Sequence, residues 1–424
     1  RLSRSGRVRT DALAALRIGE FRALSALGLL VMIAVQAQSV AIAWALYQIT
    51  RDPLVLGLVG LAEAVPFISL ALFGGYLADH RDKRTLMRIA LTLMVAASGL
   101  LIAVMQTPVR NAMGPWQWLG LVYGSLMLMG LARGLFSPSA TALRAFVVPR
   151  ALYPNAAAWS STAMQSGMVL GPLLGGLSYA AYGLTTTLWG CAALLVAAIA
   201  LSLWLRPRPP LSHRAQGQSV MQNIAEGLQF VRRTPVILYA LALDLLVVLF
   251  GGVIAILPMF AEEILLIGPD ALGLLRAAPA VGAIITILIC TRHTPTYHAW
   301  RNLLLACAGF GAATLVFAVS THFWLSVAAL FATGAFDSVS VVIRQTLLQI
   351  YTPDALRGRV QSVNSVFIST SNEIGAFESG LAAKLLGAVP SVLFGGAMTL
   401  GITGLIGHRT RSLLRLRVTP ESQG

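Results

Sequence analysis

Apolar residues in this chain run in long blocks, and the polar residues between them come in short bursts. Blocks long enough for the ~20 residues that cross a hydrocarbon core fall near 23–49, 54–78, 85–106, 116–145, 157–181 and 184–205. After a gap they resume near 235–262, 270–291, 300–319, 323–349, 360–386 and 389–408. Backbone groups in hydrocarbon must be satisfied within the segment, so such blocks cross as helices. The expected fold class is an all-α polytopic membrane protein with twelve transmembrane helices. An even number of spans puts both termini on one side.

Composition agrees, since 57% of the 424 residues are hydrophobic and 11% are charged, against roughly 25% charged in an average soluble domain. Net charge is +15, from 31 basic and 16 acidic residues. The basic residues cluster in short segments between the blocks rather than along one face, which argues against nucleic acid as a partner and for orientation of a membrane protein. With a cytoplasmic N-terminus, the inner segments hold Arg81, Lys83, Arg84, Arg150, Arg206, Arg208, Arg214, Arg232, Arg233, Arg292, Arg301, Arg357, Arg359 and the basic tail from Arg409. The outer loops then hold only Arg51 and Arg110. Both termini are therefore expected in the cytoplasm. Residues 1–22 are basic and polar rather than apolar, so the first span is expected to target the chain. Cys191, Cys290 and Cys307 lie in or at the end of apolar blocks and suggest small core residues, not a disulfide framework.

The gap contains one amphipathic stretch. Ser219 with Gln222 fits a capping box, and Val220, Ile224, Leu228 and Val231 form an apolar stripe. It reads as a linker helix on the inner membrane surface, or as a site for a regulatory partner. The blocks on either side repeat. A shift of 204 residues aligns Gly130, Pro149, Ser161, Gly171 and Gly176 with Gly334, Pro353, Ser365, Gly375 and Gly380; a shift of 216 aligns Pro53, Gly57 and Leu58 with Pro269, Gly273 and Leu274. The expected domains are a six-helix bundle over 1–205, a cytoplasmic linker over 206–234 and a second six-helix bundle over 235–424. Duplicated halves are the architecture of transporters that rock two bundles about a central site.

The loop after the second span reads GGYLADHRDKR, with Gly75, Asp79, Arg81, Lys83 and Arg84; the fifth span carries Gly167, Gly171, Pro172, Gly175 and Gly176 in a G-x-x-x-G-P-x-x-G-G pattern. Together with the six-plus-six spans, these resemble the major facilitator superfamily over nearly the whole chain. GGYLADHRDKR, LRAAPAVGA and TPDALRGRVQSVNSVF are similar to the drug:proton antiporter branch that includes enterobactin exporters and macrolide efflux proteins. His80 and Asp82 depart from the superfamily's usual Arg and Gly. The resemblance implies that the loop latches the halves together on the inner side in the outward-open state, and that the glycine pattern belongs to an antiporter. Physically, Asp79 at a helix C-terminus needs cationic or helix N-terminal partners, while a solvated loop would explain the basic residues alone. Glycines four apart make a smooth strip for close helix approach whatever the transport mode.

Charge inside the membrane is costly, about 2.5 to 3.5 kcal/mol at the centre on insertion scales, so it marks candidate sites. Glu63, Arg133, Asp244, Asp337, Arg344, Glu373 and Glu378 stand in the second, fourth, seventh, tenth and eleventh spans. Each is a candidate for proton coupling or substrate contact, or a structural ion pair. Arg133 and Asp337 occupy equivalent repeat positions. Arg133, Ser137 and Arg144 share one helix face, as do Asp337, Ser340 and Arg344, and both stripes read as cavity walls. Of the two glutamates, about 140° apart at 100° per residue, only Glu378 falls on the small-residue face with Ser371. Asp244, Asp337 and Glu63 are the preferred proton carriers.

The expected function is a proton-coupled exporter of an amphiphilic small molecule, such as a siderophore, macrolide or other drug, in the bacterial inner membrane. The proton gradient would supply the energy, with no bound cofactor or metal. The chain is expected to work as a monomer among membrane lipids. Uptake, uncoupled or lipid transport by the same fold is the alternative, with a membrane sensor behind it. An enzyme is not expected, because HExxH, GxSxG, a Walker-type loop and metal-spaced Cys/His clusters are all missing from the sequence. The arginine stripes favour an anionic cargo, and Trp44, Phe136 and Phe250 would suit many amphiphiles.

Overall fold

A computed structural model describes residues 13–80, 82–206, 220–293, 295, 297–353 and 356–415. No strand occurs among them. The main helices are α1 (Gly19–Thr50), α2 (Pro53–His80), α3 (Lys83–Val104), α4 (Pro115–Val147), α5 (Tyr153–Ser202), α6 (Val220–Arg233), α7 (Pro235–Gly251), α8 (Pro269–Arg292), α9 (Ala299–Val319), α10 (Phe323–Tyr351), α11 (Arg357–Leu386) and α12 (Ala388–Arg409). Proline opens α2, α4, α7 and α8, where its missing N–H costs no helical hydrogen bond. Asp82 caps α3: its carboxylate accepts from the backbone N–H of Arg84 and Thr85 and from the Thr85 hydroxyl. The acidic residue in place of a loop glycine is therefore a helix N-cap.

Ten helices among the described residues are long and apolar enough to cross a membrane. One of them, α5, holds two spans, because Gly183 breaks it with φ 77° and ψ 176°, a conformation open to glycine. The one remaining span, the eleventh in the chain, is α11, long enough at 30 residues but carrying Arg357, Arg359, Glu373, Glu378 and Lys384. The seventh span is α7 continued beyond Gly252 by short turns over Ile254–Ile256, Leu257–Met259 and Phe260–Ile264. The twelve predicted spans are all present, the fifth and sixth fused and the seventh broken.

In the first half α1 packs along α5, and α4 packs on α2 and α3; in the second half α7 packs on α11 and α12, and α10 packs on α8 and α9. The halves meet where α2 crosses α11 and α5 crosses α8. Each crossing is a glycine pair. A Cβ on Gly57 would stand 3.2 Å from Gly380 Cα, and one on Gly273 would stand 3.3 Å from Gly176 Cα and 2.5 Å from the Pro172 carbonyl oxygen. These are the residues that the two repeat shifts align. The repeat therefore encodes the contact between the bundles as well as the bundles themselves.

The linker helix α6 packs on α11 and α7. Val231, fully buried, with Ile224 and Leu228 joins a core of Ile237, Leu241, Leu348, Val360 and Val363. Glu226 of α6 pairs with Arg359 at the head of α11. The apolar stripe thus covers the second half, where the sequence pattern suggested the membrane surface. Ser219 of the expected capping box lies outside the described residues. The three cysteines are buried thiols.

Candidate functional site

The close crossing of α2 and α4 places the first pair of charges. A Cβ on Gly130 would lie 2.0 Å from the Glu63 carbonyl oxygen, so the two backbones touch there. Arg133, one turn further along α4, reaches the Glu63 carboxylate at 2.7 Å. Its guanidinium also lies 5.6 Å from the centre of the Phe67 ring. Arg133 and Phe67 line an open cavity of about 600 Å³ together with Phe136, Ser137, Arg144 and Met164. All the described lining residues come from the first half, mainly from the ends of α1, α4 and α5 nearest the termini. The expected stripe of Arg133, Ser137 and Arg144 is a cavity wall.

A carboxylate and a cation approach this pair from the second half. Glu373 of α11 lies against α2, its Oε2 3.2 Å from where a Cβ on Gly60 would stand, and it senses both Glu63 and Arg133. Arg276 of α8 donates to Ser39 Oγ of α1 at 3.3 Å and senses Glu63. The structure brings Glu63, Arg133 and Glu373 together. Arg276 is a further charge at this cluster, and its signal in the sequence is an arginine inside the eighth apolar block. Glu378 stays beside Ser379 of its own helix, and Ser379 in turn donates to the Gly252 carbonyl at 2.7 Å.

The second half arranges its charges differently. Asp244 of α7 and Arg344 of α10 form an ion pair whose side chains are 6% and 2% exposed. Asp337 and Ser340 stand with Asp244, Cys307, Phe310 and Phe336 around a cavity of only about 10 Å³. The expected second wall of Asp337, Ser340 and Arg344 is therefore not a cavity wall. The reason lies in the repeat: Gly334 packs on the Pro279 carbonyl as Gly130 packs on that of Glu63. Proline occupies the position of Glu63, so Asp337, which stands at the repeat position of Arg133 with the opposite charge, meets no ionisable side chain at that place on α8. Of the aromatic residues, Phe136 lines the cavity, Trp44 is buried in the core, and Phe250 packs edge-on against Phe394.

On the side away from the termini a polar seam joins the halves. Tyr47 donates to Glu263, Arg51 pairs with Glu262 at 2.6 Å, and Lys384 pairs with Asp52 at 2.6 Å. Arg51 also stands 5.9 Å from the Tyr47 ring centre. This seam and the glycine crossings near it close that side, while the cavity lies toward the termini. Arg51 is thus a partner across the halves as well as an outer charge, and the sequence signal for it is Glu262–Glu263 at the end of the seventh block.

The two sequence motifs fall as follows. Gly167 packs on Met32, Gly171 on Gln36 and Ile33, and Gly175 on Ala37, all of α1, whereas Gly176 turns to Pro269 and Gly273 of α8. The strip thus seats α5 on α1 and on the other half at once, with Pro172 inside it. In the charged loop, Gly75 belongs to α2, and the Lys83 ammonium lies 5.0 Å from the Phe146 ring centre. Arg84 follows the cap of α3. Arg81 and the side chain of Asp79, on which the expected latch depends, lie outside what the structure describes.

Residues 24–376 match the sequence profile of the Major Facilitator Superfamily. The chain is 26% identical over 397 residues to the uncharacterized MFS-type transporter YfiS of Bacillus subtilis (strain 168), covering 90% of this chain and 91% of the relative. It is 27% identical over 418 residues to the enterobactin exporter EntS of Shigella boydii serotype 4 (strain Sb227), covering 96% and 94%. Among solved structures, a mutant of the nucleoside transporter NupG superposes with a TM-score of 0.75 at 12% identity, over 93% of this chain and 99% of that one. Profile, relatives and fold agree, and this multi-pass membrane protein belongs to the Major Facilitator Superfamily.

Proposed function

We propose that this transporter is a proton-coupled exporter of an amphiphilic small molecule in the bacterial inner membrane, working as a monomer with the proton gradient as its energy source. The observation that carries the reading is the open cavity of about 600 Å³, largely apolar, with the Glu63–Arg133 pair at its deep end and the opposite side closed by the inter-half seam. The distribution of basic residues supports a cytoplasmic position for the termini, so the cavity would face the cytoplasm in this state. Whole-length similarity to a protein named as an enterobactin exporter supports outward transport and a siderophore-like or drug-like cargo.

In this reading, cargo enters the cavity from the cytoplasm, and the bundles over 1–205 and 235–424 rock while the linker over 206–234 holds them together. The seam of Tyr47, Arg51, Asp52, Glu262, Glu263 and Lys384 parts, the crossings of α2 on α11 and α5 on α8 separate, and the cavity opens outward. A proton from outside then reaches Glu63 or Glu373. Neutral Glu63 no longer holds Arg133, which favours release of cargo and return. Asp244, Asp337 and Glu378 are the other carboxyls available for coupling, and Arg344 holds Asp244 meanwhile. Gly75, Asp79, Arg81, Lys83 and Arg84 would fasten the inner side in the outward-open state.

The test uses inside-out vesicles whose lumen is acidified. Export carries cargo into the lumen and antiport carries protons out, so adding enterobactin or erythromycin should raise lumenal pH and accumulate the compound. Accumulation that proceeds without any lumenal pH change, and survives collapse of the gradient, would remove proton coupling. A rise in uptake by whole cells would point to import instead.

A further inference from the structure

The sequence puts three arginines, Arg133, Arg144 and Arg344, on two polar helix stripes, and the structure sorts them. Arg344 is 1% exposed and closed onto Asp244, so it meets no cargo. Arg133 lines the cavity with its charge committed to Glu63 at 2.7 Å and its face to Phe67. Arg144 lines the same cavity and has neither a carboxylate nor a hydrogen-bond partner among the described residues. Two hydroxyls accompany it. Ser25 Oγ of α1 and Ser160 Oγ of α5 are buried in the protein without a hydrogen-bond partner, and both residues line this cavity.

Position gives these groups a common task. Ser25, Arg144 and Ser160 come from the terminal-side ends of three helices, so they belong to the outer part of the cavity. Arg133 lies deeper on the same face of α4, eleven residues or about 16 Å along the helix axis from Arg144. Val31, Met32 and Phe136 are among the apolar residues lining the cavity with them. The chamber thus has a free cation and two unsatisfied donors near its mouth, apolar walls, and a neutralised pair at depth. Burying such groups is unfavourable unless an acceptor meets them, and an anionic head at the mouth would supply one.

We propose that Arg144, with the Ser25 and Ser160 hydroxyls, is the anion-recognition point of this cavity and selects amphiphiles whose head carries a carboxylate, sulfonate or phosphate. The head binds at the mouth and the apolar body lies inward toward Phe136. This rests on reading the cavity as the cargo chamber. The anion belongs either to a soluble cargo or to a lipid headgroup.

The test measures binding of dansylglycine and its neutral analogue dansylglycinamide to the purified full chain in a maltoside detergent. The wild type should bind the anion about tenfold more tightly, the difference expected of one charge-assisted contact. Arg144→Gln should erase the preference and leave dansylglycinamide unchanged, Arg144→Lys should keep part of it, and Ser25→Ala with Ser160→Ala should lose a smaller part. The serine pair also tests the site if Arg144→Gln fails to fold. Ala157→Trp, which fills the cavity, should abolish both. Competition by dihexanoyl phosphatidylglycerol but not by dihexanoyl phosphatidylcholine would support the site with a lipid as the natural anion; competition by neither would support it with a soluble one. An undiminished preference in Arg144→Gln overturns the proposal and leaves the chamber standing. Absence of binding by either probe to the wild type overturns the chamber, and the proposal with it.

Discussion

Glu63–Arg133 and Asp244–Arg344 are the ion pairs of two halves built on one duplicated framework, and they differ in nearly everything but charge. The first pair has side chains 17% and 38% exposed and reaches an open cavity; the second has side chains 6% and 2% exposed and is sealed. The backbone crossings beneath them are the same, Gly130 on Glu63 and Gly334 on Pro279. A glycine crossing admits no larger residue, so duplication preserves it. A charge can move to another helix if its partner moves too. Arg276 and Glu373 show the same divergence: they occupy non-equivalent positions, one on α8 and one on α11, where their repeat mates are Gly60 and Val169. The comparison assigns responsiveness to the first half and rigidity to the second.

The largest effect should come from unpairing the sealed side. Arg344→Met leaves Asp244 as an uncompensated buried charge and should cost about 3–5 kcal/mol, seen as a lower unfolding midpoint in detergent, and Asp244→Asn added to it should recover most of the loss. A cost below about 1 kcal/mol would mean that the second pair is hydrated like the first.

Next come the crossings. Gly176→Leu puts a side chain where a Cβ alone would stand 2.3 Å from the Pro269 carbonyl oxygen, and overpacking of this kind costs about 1–3 kcal/mol. Because the clash lies between bundles, the protein should relieve it by parting them, raising thiol labelling of an Asp52→Cys reporter. Gly401→Leu, with nothing near its Cβ position, should leave labelling unchanged.

Glu63→Gln should act more weakly on stability, by less than about 1 kcal/mol, because Arg133 is left in a cavity that water reaches. Its readout is transport: with no carboxyl at position 63 to take the proton, gradient-driven accumulation of cargo in inside-out vesicles should fall severalfold. Smallest of all, Arg51→Gln removes a pair at the exposed seam, where the arginine side chain is 57% exposed, and should change the unfolding midpoint by an amount equivalent to only about 0.2–1 kcal/mol, less still at high salt.

Much of this was legible from apolar blocks. They define the spans, and the shifts of 204 and 216 residues pick out Gly57, Gly176, Gly273 and Gly380, the residues on which the halves touch. Helical periodicity put Arg133, Ser137 and Arg144 on one face correctly. It could not tell that the matching face of Asp337, Ser340 and Arg344 is sealed, because periodicity gives direction but neither depth nor partner. The seam was hidden for a related reason. Its partners lie at helix ends far apart in the chain, Tyr47 and Glu263 216 residues apart and Asp52 and Lys384 332 apart. Only the packed fold brings them together.

The most direct test ties the seam shut. In a chain with Cys191, Cys290 and Cys307 replaced by serine, Asp52→Cys and Lys384→Cys are joined by a short, reducible bis-methanethiosulfonate linker in inside-out vesicles. Rocking requires this side to open, so the linked protein should still bind dansylglycine but should stop accumulating it in the lumen, and reduction should restore transport. Undiminished accumulation with the linker in place would contradict opening at this seam.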